Sequence, residues 1–163
     1  NLESNTFDVV IAMGLVEYLN SDIQAINEMK RVVKKGGYLI ITFPNRIALS
    51  NLINPKQLFL IIKEIIGSLI KKKKIENVKF LNKKNNFIHH YYYPSEILRI
   101  VKTTNLKLMS FISHNFGPSI ILSMSKNISF KIDEIFERIR KKKNNSLLNN
   151  FGQNIIILCK KED

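Results

Sequence analysis

Chemistry-bearing side chains are few in this chain, and two places hold most of them. The run Phe87-Ile88-His89-His90-Tyr91-Tyr92-Tyr93 puts two imidazoles and three phenols within seven residues. Alternate residues of an extended segment face opposite ways, so only one of the two histidines can point into a given site. His90 is the expected base, with Tyr92 on the same face as a substrate contact; the alternative is a half-buried strand leading into a helix. The second place is Glu17, which could orient a substrate or accept a proton, or simply stabilise its loop and the helix that follows. A metal centre is not expected. The histidines are His89, His90 and His114 and the one cysteine is Cys159, which leaves no usual tetrahedral set without distant carboxylates.

The elements that must position these groups can be read from apolar periodicity. Phe7 to Met13 is a short apolar run with β-branched residues at its centre, suited to a strand buried on both faces of a parallel sheet. Ser21, with Gln24 three residues on, forms a capping box that should start a helix. Ile23, Ile26, Met29 and Val33 then recur on one face, Lys34-Lys35 suit the last turn, and Gly36-Gly37 should stop it. Tyr38 to Phe43 is a second apolar strand, ended by Pro44-Asn45. Strand, helix, strand is a βαβ unit, and ligands of such sheets bind beyond the carboxyl ends of the strands. The segments 14–19 and 44–46 therefore lie at the functional edge, and Asn45 is a candidate substrate contact.

Residues 46–86 read as an insertion. A helix from Pro55 to Ile70 would gather Leu58, Phe59, Ile61, Ile62, Ile65, Ile66, Leu69 and Ile70 on one broad face, with Lys63, Glu64, Gly67 and Ser68 opposite. Lys71 to Lys74 follow at once, opening a basic, Asn-rich loop. Pro94 can then begin a helix whose buried stripe is Ile97, Ile100 and Val101, with Asn105 ending it. Leu106 to Ser113 reads as a strand and Gly117-Pro118 as a turn. Ile132, Ile135, Phe136 and Ile139 mark one side of a further helix, and Gln153 to Lys160 a last strand.

Composition narrows the classes. With 163 residues, 45% hydrophobic and 24% charged, the chain is long enough for one domain with its own core, which excludes disorder and collagen. A single cysteine excludes a disulfide-stapled secreted domain and points to a reducing cytosol. The chain starts without an initiator Met, which suggests a cut or incomplete end. The formal charge of +13 is lopsided: residues 1–70 carry 7 Lys/Arg against 6 Asp/Glu, and residues 71–163 carry 19 against 7. An anionic partner would select such asymmetry, although a Lys-rich surface from a biased genome would also produce it. Lysine outnumbers arginine 21 to 5 and aromatics are not interleaved, which disfavours nucleic acid as that partner.

Three runs together carry a resemblance: FDVVIAMGLVEYL, then NEMKRVVKKGGYLIITFPN, then HHYYYPSEILRIVKTTNLKL. They resemble the second half of a class I S-adenosylmethionine-dependent methyltransferase of the small-molecule or lipid type, over about residues 5–110. The resemblance implies an α/β, Rossmann-like sheet, mostly parallel with an antiparallel last strand, in which residues 1–163 are the C-terminal part of one methyltransferase domain. The family's N-terminal strands and Gly-rich loop are missing, and no G-x-G occurs in the sequence. Tyr18 stands where many members have His, Lys35 where a Pro usually precedes the glycines, and Asn105 where a Gly is usual.

By the same resemblance, Ala12, Met13 and Gly14 would touch S-adenosylmethionine at the end of the family's fourth strand. The expected function is methyl transfer to a small-molecule or lipid-like acceptor, with this chain as the substrate-side half, inactive alone. A non-catalytic remnant, or a basic module for nucleic acid or membrane, is the alternative. The apolar helix face must be covered, either as a lid over an apolar acceptor or by peripheral contact of residues 56–74 with a membrane. The expected location is the cytoplasm, with the membrane periphery as its variant.

Overall fold

Strand β1 (Phe7–Ala12) and strand β2 (Val33–Pro44) run parallel, joined by helix α1 (Asp22–Val32). The computed structural model describes residues 2–71, 78–82, 87–116, 126–143 and 148–162. In chain order there follow α2 (Leu49–Ile53), α3 (Pro55–Lys71), β3 (Val78–Asn82), β4 (Phe87–Tyr91), α4 (Pro94–Thr103), β5 (Lys107–His114), α5 (Lys126–Lys143) and β6 (Asn154–Lys160).

Four strands form one sheet in the order β1-β2-β6-β5. The last strand, β6, is antiparallel to both of its neighbours, so β5 runs in the same direction as β1 and β2. The sheet is therefore mixed, and only one of its three pairings is parallel. Strands β3 and β4 make a separate antiparallel pair, which places a strand at 78–82 where the sequence suggested only a basic loop. The end of β4 is tied to the end of β2: Tyr92 N–H donates to the Pro44 carbonyl at 2.9 Å, and Arg46 N–H to the Tyr92 carbonyl at 2.9 Å.

Local signals account for the element starts. Ser21 Oγ accepts from the Gln24 N–H at 3.3 Å and caps α1. Pro94 opens α4, whose first turn is closed by Tyr93 N–H donating to Glu96 Oε2 at 2.9 Å. Asn105 ends that helix with φ 50°, a left-handed value that Asn tolerates.

Helix α1 stops earlier than its pattern suggests. It ends at Val32, and Lys34 and Lys35 belong to β2 rather than to the last helical turn. The register jumps from Phe7↔Val33 to Val9↔Tyr38, so the intervening residues bulge out of the ladder. Gly36 supplies the positive φ of 76° that the bulge requires, and at Gly37 a Cβ would lie 2.7 Å from the Asp8 carbonyl.

The core lies on one face of the sheet. Leu39, Ile41 and Phe43 of β2 and Ile155, Ile157 and Cys159 of β6 pack against Ile26 of α1 and Ile97, Ile100 and Val101 of α4. Strand β1 departs from the expectation of burial on both faces: Val10 and Ala12 join this core, while Phe7, Val9 and Ile11 are exposed. Successive side chains of a strand point to opposite faces, so these three project on the face of the sheet away from that core. In α5, Ile135 and Ile139 are exposed, and Phe136 stacks on Phe116 at 5.4 Å. The side chain of Ile132 and the turn expected at Gly117-Pro118 lie outside the described residues.

Candidate active site

Beyond the carboxyl ends of β1 and β2 lies a cavity of about 310 Å³ lined by Glu17, Pro44, Asn45, Ala48, Ser50, Asn51, His89, Tyr91, Gln153 and Asn154. Its lining comes from the 3₁₀ turn after β1, the end of β2, α2, β4 and the start of β6. The chain after β1 turns at Gly14, where φ is 63°, and the Gly14 N–H donates to Thr42 Oγ1 at 2.9 Å, which pins the turn to β2. A one-turn 3₁₀ helix, Val16–Tyr18, then brings Glu17 inward. β4 lies alongside and contributes His89 and Tyr91. Because β6 is antiparallel, its start, with Gln153 and Asn154, reaches the same edge.

The strand alternation in β4 operates in the opposite sense to the expected one. His90 and Tyr92 share a face, but it is the inner face: both are buried, and neither lines the cavity. Tyr92 belongs to the core, edge-on to Phe43 at 5.0 Å, and its hydroxyl donates to the Val16 carbonyl at 3.4 Å. Burial pushes its phenol far above the ordinary range. His90 packs near it with ring centroids 6.4 Å apart. The residues on the cavity side are His89 and Tyr91, whose rings lie 4.6 Å apart, with Tyr18 edge-on to His89 at 5.1 Å.

Asn45 does line the cavity, but its side chain is committed elsewhere. Its Nδ2 donates to the carbonyls of Asn150 and Gly152, both at 2.7 Å, and its Oδ1 accepts from the Ile47 N–H at 3.2 Å. It stitches the end of β2 to the approach of β6 and thereby shapes the wall.

Glu17 and His89 are the chemically open groups. Glu17 Oε2 and His89 Nδ1 are both buried and have no hydrogen-bond partner among the described residues. A buried polar atom without a partner costs free energy, so such atoms mark where a ligand can bind. Burial holds the His89 pKa below the ordinary imidazole value, with the Glu17 charge opposing the shift in part. The imidazole is therefore neutral at pH 7 and able to accept a proton. Burial also pushes the Tyr91 phenol up, so it stays a hydrogen-bond donor.

Of the three residues expected to meet a cofactor, Ala12 is buried in the core, Met13 is exposed at the strand end, and Gly14 forms the turn. The Gly14 N–H already serves Thr42, which leaves Met13 and the open side of the turn as contact surface. Glu17 Oε1 stands 3.8 Å from the place a Gly14 Cβ would occupy, so the carboxylate borders that same turn. A cationic ligand reaching the end of β1 would meet it, and to that extent these residues fit S-adenosylmethionine. No group of three or more His, Cys, Asp or Glu suited to a metal occurs among the described residues.

Residues 1–41 match a family model described as "Methyltransferase domain". Comparison with curated proteins finds no match. Among solved structures, an S-adenosylmethionine-dependent methyltransferase from Methanosarcina mazei superimposes on the whole chain with a TM-score of 0.54 at 13% identity. One from Mesorhizobium loti superimposes on 98% of the chain with a TM-score of 0.56 at 7% identity. The fold is that of a class I methyltransferase. Identity this low speaks to the fold alone, and the chain spans 63% and 64% of the length of those two proteins, under two thirds of each. In this methyltransferase fold the cavity occupies the edge at which α/β sheets bind ligands.

The sequence singles out Glu17 and Asn45, which line the cavity, but not His89, Tyr91, Asn51, Gln153 or Asn154. Alternation separates His90 and Tyr92 from His89 and Tyr91, but nothing local says which side of β4 meets the core. Gln153 and Asn154 reach the site only through the antiparallel return of β6, a long-range contact without a local motif.

Proposed function

We propose that this chain is the acceptor-side half of an S-adenosylmethionine-dependent methyltransferase that acts on a small molecule or on the polar head of a lipid-like acceptor, in the cytosol or at the membrane periphery. The observation that carries the reading is the pair of buried, unpartnered atoms, Glu17 Oε2 and His89 Nδ1, in one cavity at the carboxyl ends of the strands. The cofactor, when bound, supplies an electrophilic methyl group on a sulfonium. What remains for the protein is to orient an acceptor, exclude water and hold a proton.

His89, neutral and half-buried, would take the proton from an acceptor hydroxyl or ammonium. Glu17 would stabilise the imidazolium that results, and Tyr91 with the amide of Asn154 would hold the acceptor by hydrogen bonds. A lining this polar suits a hydroxylated or amine-bearing group better than an alkyl chain. The half-domain role is supported by the bare outer face of β1 and by the share of the neighbouring structures that the chain spans.

Transfer of tritium from methyl-labelled S-adenosylmethionine, catalysed by the full protein containing these residues and followed separately in aqueous and organic extracts, tests the reading. His89→Ala should lower acceptor turnover at least tenfold while changing cofactor affinity little. Turnover unchanged in His89→Ala and Glu17→Gln would overturn the assignment.

A further inference from the structure

Helix α3 is docked by its polar side. Arg46, 1% exposed, donates to Glu64 Oε1 at 2.8 Å and Oε2 at 3.2 Å, and to Gln57 Oε1 at 2.9 Å. Tyr93 Oη adds a donor to Glu64 Oε2 at 2.8 Å. Between Gln57 and Glu64, on the same face, Ile61 is 2% exposed. Positions 57, 61 and 64 follow the four-then-three spacing of one helix face, so this face is against the protein. Most of the other apolar side chains then point away: Leu58, Phe59, Ile62, Ile65 and Ile66 are all exposed, Phe59 at 67%, with Leu60, 36% exposed, on the flank. No described residue of α3 lines the cavity, so the helix does not roof the site.

We propose that this outward face of α3 is a membrane-docking surface that lies in the interface of an anionic bilayer. A helix with a solvent-facing apolar arc bordered by lysines is the physical form of an interfacial helix. The apolar side enters the acyl boundary while cations stay at the headgroups. Lys56 and Lys63 sit three and four positions from Phe59, and Lys63 three from Ile66, so both border the arc. The helix ends on Lys71, and the sequence continues as Lys72-Lys73-Lys74. Seventeen residues make the helix about 25 Å long, short of a bilayer core, and among the described residues no helix is long and apolar enough to cross a membrane. The helix must lie flat.

Charge chooses among occupants. A second copy of a chain carrying +13 would bring like charges together at this face, whereas a phosphate-bearing lipid surface neutralises them. Nucleic acid would use the lysines but has no place for four isoleucine and leucine side chains and a phenylalanine. The proposal concerns binding alone and stands apart from the methyl-transfer reading.

Co-sedimentation of the full chain with phosphatidylglycerol and with phosphatidylcholine vesicles tests it, alongside the double substitution Phe59→Glu/Ile62→Glu. Both side chains are exposed, so the double variant should keep the circular dichroism of the parent. The expected result is binding to the anionic vesicles that falls at least tenfold in the variant and in 0.5 M salt. The chain contains no tryptophan, so Phe59→Trp provides one reporter at the centre of the face. Its emission should shift to the blue on anionic vesicles. Unchanged emission would overturn the proposal even if the protein pelleted, because lysines alone would then be responsible. A dimer in the absence of lipid that Phe59→Glu/Ile62→Glu converts to monomer would overturn it in favour of a second copy.

Discussion

Arg46 and Glu64 are 18 residues apart in sequence, yet their side chains make a two-bonded ion pair that joins the end of β2 to the middle of α3. Arg46 is fully enclosed, whereas the Glu64 side chain is 24% exposed, and this asymmetry sets the energetics. Removing the carboxylate strands a buried cation, the costly case; removing the guanidinium leaves a carboxylate that water can still reach. Glu64→Ala should therefore destabilise the protein by about 3 kcal/mol, the lower end of the range for a broken buried pair. Arg46→Met, which keeps the stem and removes the charge, should cost roughly 1 kcal/mol. Urea unfolding of both variants checks the order, and an equal loss would mean that Arg46 is held by its other partners.

His89 gives a pH dependence with a definite sign. Burial lowers its pKa from the ordinary 6.5, so the folded protein binds this proton less readily than the unfolded chain. The stability is fully present above pH 6.5 and is lost as pH falls from there through the lowered folded value. Glu17 opposes the shift, so Glu17→Gln should push the His89 pKa lower still. Imidazole resonances followed by NMR against pH measure both, and a rise in the Glu17→Gln variant would contradict the placement of the two groups in one cavity.

Cys159 lies in the core between β2 and β5, and burial pushes its thiol from 9.0 up to about 11. Two units mean about a hundredfold less thiolate at any pH below both values, and burial blocks the reagent besides. An aromatic disulfide reagent at pH 8 should thus label Cys159 at least about a hundredfold more slowly in the native chain than in urea. Fast labelling without denaturant would show that β6 opens locally.

What could be read from the sequence follows from range. Ser21, Pro94 and Asn105 act on their own backbone neighbours, and each does locally what its type suggested. The stripe Ile97, Ile100, Val101 is buried for the same reason: one helix needs only its own period. Residues whose role depends on a distant partner were not legible. Lys34 sits in a bulge and donates to the Asp8 carboxylate at 2.8 Å, a contact across strands that helix periodicity cannot show. The apolar face of α3 was visible, but that Arg46 would claim its polar side, and so turn the apolar one outward, depends on β4 meeting β2 at Tyr92 and Asn45. That same junction decides which of the paired histidines faces the cavity.

Strand β1 carries the remaining prediction. Its outer edge has no strand partner among the described residues, and on one face Phe7, Val9, Ile11 and the following Met13 are all exposed, Ile11 at 60%. Unpaired backbone donors and acceptors beside a row of apolar side chains form a template for another strand. The chain should accordingly self-associate in a concentration-dependent way, and more strongly in salt that screens its net charge of +13. A lysine on the edge blocks such pairing without touching the core, because Val10 and Ala12 face the other way. Ile11→Lys should then move the chain toward monomer in sedimentation velocity, with its urea midpoint nearly unchanged. A substitution that lowered the midpoint and left association intact would show that the edge is already covered from within the chain.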